Sequence, residues 1–182
     1  MVTVAERLAA LGAHHDVVTW AAGYGTDFRA AFRECPRGDW LLGVAARRAV
    51  PWRRVARAAA ACLRVGLDGR APPDLLLDAA EVADGWACAV VEPGARESTR
   101  ALLRALEPPD AATAALASAA LLCVELDDGS LDSAALVPAL VVEASLAGTI
   151  DCAWTSIVRH TQLATASAVR EHIDWESLGC GR

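Results

Sequence analysis

Proline and glycine divide this chain into segments that read at helical period, and that punctuation constrains the fold more than any other feature. Between Pro51 and Gly66, residues Trp52, Val55, Ala56, Ala59, Cys62 and Leu63 recur at three- and four-residue intervals, with Arg53, Arg57 and Arg64 on the opposite side. Such a segment cannot alternate as a strand, so it specifies an amphipathic helix with an alanine-rich inner face. In the next segment Leu75, Ala79, Val82, Trp86 and Val90 form one stripe, while Asp74, Asp78 and Glu81 form an acidic one.

The same reasoning along the chain predicts helices over about 3–11, 16–22, 27–34, 39–48 and 51–67, then from Pro72-Pro73 to about 91, and over 95–107, 111–126, 130–147 and 150–172. A last turn begins at Asp174. Thr26, Asp39 and Ser130 are the expected N-caps, Pro51 suits a first helical position, and Pro138 either kinks the helix beginning at Ser130 or divides it in two. Connections of a few residues imply antiparallel neighbours. The expected fold is all-α, an irregular multi-helix bundle or a short helical-repeat stack. No repeat of fixed period appears, which favours the bundle.

A length of 182 residues suits a single all-helical domain over 1–182, since two independent units would each be small. Hydrophobic residues make up 54 %, but aromatics only 5 %, so the apolar content favours close-packed helices with tryptophans filling gaps or the rim. The most apolar run, 111–124, is shorter than the roughly 20 residues needed to cross a bilayer, and the N-terminus has no basic, secretory pattern. The expectation is a soluble, cytoplasmic protein without a membrane partner. Cys62, Cys88, Cys123 and Cys152 fall in helical stretches without Cys-x-x-Cys spacing, as reduced, buried thiols would.

Charge is unevenly distributed about a net value of −6. Residues 29–64 hold nine arginines against Glu34 and Asp39, giving +7, whereas residues 65–151 hold four arginines against fifteen acids, giving −11. The two regions either face each other across the bundle or offer a polarised surface to a partner. The acidic excess argues against specific nucleic-acid binding.

Catalytic patterns are sparse. The chain contains no lysine, which excludes a Walker-type phosphate loop, a Schiff-base lysine and a Ser-Lys dyad. His14-His15-Asp16 has adjacent histidines that diverge on a helix, and His160 and His172 are too far apart for one tetrahedral metal site. Cys152 and His160 are two helical turns apart, a poor nucleophile pair. Gly23-Tyr24-Gly25 lacks the strand-turn-helix context of a nucleotide loop. No cofactor or metal is implied.

One pattern carries more information. The segment Cys35-Pro36-Arg37-Gly38-Asp39-Trp40-Leu41-Leu42, the arginine- and alanine-rich stretch after it, and the closing Gln162-Leu163-Ala164 with Val169-Arg170-Glu171-His172-Ile173-Asp174-Trp175 resemble the all-helical immunity proteins of bacterial polymorphic toxin systems. The likeness spans about 20–66 and the last thirty or so residues. Gly43 stands where a second large aromatic often follows the motif, and Asp174 where a proline often precedes Trp175. By that resemblance Cys35, Arg37, Asp39, Trp40, Arg170 and Trp175 are family positions. Their expected role is structural: Asp39 caps a helix and pairs with Arg37 or Arg170, and Trp40 fills the adjacent core. The implied function is neutralisation of a cognate protein toxin by covering it, with no chemistry. Asp74, Asp78, Glu81, Asp127, Asp128 and Asp132 are the acidic candidates for the partner surface. A helical adaptor for a non-toxin partner, self-association, or an enzyme using Asp78, Glu81 and His160 remain open readings.

Overall fold

The computed structural model describes residues 1–48, 50–127, 129–147, 149 and 153–178, which hold ten α-helices and no strand. Asp128 and Cys152, named above, lie outside the described residues, as does the expected start of the helix over 150–172.

Three short helices, α1 (Val4–Ala10), α2 (His15–Ala21) and α3 (Phe28–Glu34), make an N-terminal unit with its own small core of Val4, Leu8, Val17, Ala21 and Ala31. Thr3 and Glu6 form a capping box that starts α1. Gly12, at φ +68°, supplies the left-handed turn that ends it. The larger bundle comprises α4 (Gly38–Arg47), α5 (Trp52–Leu67), α6 (Asp74–Ala87), α7 (Pro93–Ala105), α8 (Ala111–Glu125), α9 (Leu136–Leu146) and α10 (Trp154–His172).

Helix α5 is the axis of the bundle, packed against α4, α6, α8, α9 and α10. Its buried residues are mostly small, namely Ala56, Ala58, Ala59, Ala60 and Cys62, so neighbouring backbones approach closely on several sides. At Gly66 a Cβ would lie 2.7 Å from Leu116 and 3.1 Å from Val141, so this glycine allows α8 and α9 to meet α5. Leu42, Leu63, Leu76, Leu126 and Ile173 supply the large buried side chains, each contributing about 1.5–3 kcal/mol.

Several local expectations are corrected. Asp27, not Thr26, caps α3, its carboxylate accepting from the Ala30 amide at 2.9 Å. Asp39 is not a cap: α4 begins one residue earlier, at Gly38, so Asp39 lies inside its first turn. Pro51 is the N-cap of α5 rather than its first residue, whereas Pro93 occupies the first position of α7. Ser130 does not cap a long helix, because its hydroxyl bonds back to Glu125 and Asp127. A 3₁₀ turn over Leu131–Ala135 then leads into α9, with Pro138 in its first turn. Helix α6 stops at Ala87 because Ala89 turns to φ +59°, leaving Val90 exposed. The buried stripe of α6 is Leu76, Ala79, Ala80, Ala83 and Ala87, rotated from the one expected. Its inner face is set by close backbone approach, and the bulkier Leu75, Val82 and Trp86 ride at the edge. All six tryptophans are likewise half-buried or exposed.

Candidate functional site

The segment 35–42 is where the N-terminal unit joins the bundle. Cys35 ends α3, Pro36 and Arg37 make the connection, and Gly38 opens α4. A Cβ on Gly38 would lie 2.9 Å from the backbone and side chain of Thr165, so only glycine lets the start of α4 rest against α10. Arg37 folds back on its own helix. Its Nε donates to Asp39 Oδ1 at 3.0 Å and its Nη2 to Oδ2 at 2.5 Å, a two-pronged, part-buried pair. The Asp39 carboxylate holds the Arg37 guanidinium above its ordinary pKa. The guanidinium also lies 4.6 Å over the Trp40 ring. Trp40 is half-buried rather than enclosed in the core, and it packs against Trp20 at 5.8 Å, tying α2 to α4.

Arg170 clamps the same joint from α10. It donates to the carbonyls of Phe32, at 3.1 Å, and of Cys35, and both acceptors lie where α3 ends. Positive charge is favourable there, at the negative end of the helix dipole. Of the two partners expected for Asp39, the structure therefore selects Arg37, and Arg170 serves backbone oxygens. The Cys35 thiol is buried and donates to the Arg37 carbonyl at 3.5 Å. Trp175 is the outlying family position: half-buried beside the Arg54–Asp174 ion pair, its ring N–H is buried and has no acceptor among the described residues.

Two concavities flank the Arg37–Asp39 pair. One, of about 330 Å³, is lined by His14, Asp16, Trp40, Gly43, Arg47, Asp132 and Leu136, together with Arg37 and Asp39. The other, of about 130 Å³, is lined by the pair, α9 and the Gln162 and Thr165 side of α10. The pair thus forms a ridge between them. Arg47 and Asp132 on the first are exposed and make no ion pair among the described residues, and Leu136 exposes 54 % of its surface. Asp39, Gly43 and Arg47 recur every four residues along α4. That spacing in the sequence is the available sign of a shared face.

The other acidic candidates lie elsewhere. Asp74, Asp78 and Glu81 are exposed on α6 and make no ion pair among the described residues. Asp127 is engaged in its own turn: its carboxylate accepts from the Gly129 amide at 3.0 Å and the Ser130 hydroxyl at 3.0 Å, and lies 3.9 Å from Arg96. The charged regions meet in part, since Asp84 on α6 pairs with both Arg57 and Arg64 on α5. His14 is an N-cap, accepting from the Asp16 amide, and His15 contacts Thr19. Burial pulls the His172 pKa below its usual value. Among the described residues, no group of His, Cys, Asp and Glu is placed to hold a metal ion, and no helix is long and apolar enough to cross a membrane. Comparison with protein-family models, curated proteins and solved structures gave no match.

Proposed function

We propose that this chain is an immunity protein that binds a cognate bacterial toxin and neutralises it by covering its working surface, without catalysis. One observation carries the reading. The two separate segments that resemble the immunity family, 35–42 and 162–175, meet in a single joint through Arg170 and through the Gly38–Thr165 contact. Segments brought together in this way form one structural device. The rigid ion-paired ridge and its flanking concavities offer a surface that needs little ordering when a partner docks. Asp132 at that cleft and Asp74, Asp78 and Glu81 on α6 are exposed carboxylates free to steer a basic partner.

The test is co-expression with the product of a neighbouring toxin-like gene. Wild-type protein should protect the cells. Reversing Asp74, Asp78, Glu81 and Asp132 to arginine should weaken protection with only a small loss of melting temperature, because Asp74 and Asp132 sit in first helical turns, and with slower association and altered salt dependence in vitro. Protection that is equally good with the reversed protein would remove these acids from the interface. No protection by wild type would favour an adaptor with a non-toxin partner.

A further inference from the structure

The larger cleft beside the Arg37–Asp39 ridge has a volume of about 330 Å³, within the range of small-ligand sites. Its shape depends on Gly43. A Cβ at that position would lie 3.6 Å from the Ala135 side chain and 3.8 Å from Arg47 Nη1, so Arg47 folds back over the glycine and the 3₁₀ turn Leu131–Ala135 forms the opposite wall. Asp132 precedes Ala135 by one turn of that 3₁₀ helix, which places both on the wall that faces α4. Val17, Val44 and Leu136 supply apolar surface in the same cleft.

Most of the charged groups around this cleft are already engaged. Arg37 and Asp39 saturate each other, and His14 Nδ1 lies 3.5 Å from Asp16 Oδ2. Arg47 and Asp132 are left over, one of each sign, both exposed, and neither makes an ion pair among the described residues. A lone anion in the cleft would meet the carboxylates of Asp132 and Asp16, and a lone cation would meet Arg47. A neutral molecule would leave both charges unanswered.

A molecule that carries both charges beside an apolar body answers each of these features. We propose that the cleft binds a zwitterion of the free α-amino acid class with an apolar side chain, its carboxylate at Arg47, its ammonium at Asp132 and its side chain against Val17, Val44 and Leu136. The inference does not depend on the toxin reading, and its test uses the chain alone.

Calorimetric titration of the full chain with L-leucine should show one saturable site. L-Alanine should bind about tenfold more weakly, since an open cleft buries the three extra carbons of leucine only in part. Two analogues of leucine each lack one charge: 4-methylpentanoate has no ammonium and 3-methylbutylamine no carboxylate. Both should bind about fivefold more weakly than L-leucine, the upper end for an exposed ion pair. Arg47→Gln should remove the preference for L-leucine over 3-methylbutylamine, and Asp132→Asn the preference over 4-methylpentanoate. Gly43→Leu, which fills the cleft, should abolish binding of all three. Should Gly43→Leu fail to fold, the two charge variants decide, because both side chains are exposed. Absence of saturable L-leucine binding, binding of either analogue as tight as that of L-leucine, or full retention of its preference by either charge variant would overturn the proposal.

Discussion

Removing the guanidinium of Arg170 while keeping its stem tests the joint directly. In Arg170→Met the carbonyls of Phe32 and Cys35 lose a charged donor together. A hydrogen bond to a charged group nets about 1.5–3 kcal/mol. Phe32 is half-buried, so water can replace its lost donor in part, whereas Cys35 is 3 % exposed and its carbonyl is left unpaired. Together with the lost contact to the Phe32 ring, the expected cost is about 2–4 kcal/mol. For a chain of this length that lowers the melting temperature by about 5–15 °C. The assay is thermal and urea unfolding followed by circular dichroism, with Arg159→Met as the control, since Arg159 is exposed on the same helix. If Arg170→Met unfolds like that control, Arg170 does not hold the joint and the structural argument for linking the two segments fails.

Asp39→Ala should cost about 1–2 kcal/mol in urea unfolding, through loss of the part-buried pair with Arg37 rather than of a helix cap. Gly38→Ala should destabilise by about 1–3 kcal/mol, because its Cβ meets the Thr165 backbone, whereas Gly94→Ala, with open space around it, should be neutral or stabilising. The raised pKa values of Cys35 and Cys123, about 11 and about 12, favour folding in full below the ordinary thiol pKa. Their contribution is lost as pH rises through the folded values, so stability should fall from about pH 9 upward, and less steeply in Cys35→Ser. Peptide mapping after alkylation at pH 8 should find exposed Cys88 modified in the native state, and buried Cys35, Cys62 and Cys123 modified only on unfolding.

Helices were legible wherever breakers and period agreed. The alanine face of α5 and the end of α1 at Gly12 follow from local rules that tertiary packing did not override. Errors arose where two residues competed for one role. Asp39 has the side chain of a cap, but α4 starts a residue earlier, because Gly38 must abut Thr165 and Asp39 is claimed by Arg37. In α6 side-chain size points to Leu75, Val82 and Trp86 as core, although alanines form the tight contact and Leu76 alone supplies bulk. The site was less visible. The motif was identifiable as a string, but its meeting with Arg170 spans more than 130 residues of sequence separation. The cleft residue Leu136 comes from a segment broken by a 3₁₀ turn that hydropathy does not signal.

The central claim is neutralisation by covering, and its most direct measurement is a titration of the cognate toxin's activity with purified protein at concentrations well above the dissociation constant. The account predicts a linear loss of toxin activity with a sharp endpoint at a fixed small-integer ratio, and full recovery of activity when the complex is dissociated. Inactivation of many toxin molecules by each copy, or loss of activity that persists after separation, would mean that the protein does chemistry on its partner and would contradict the account.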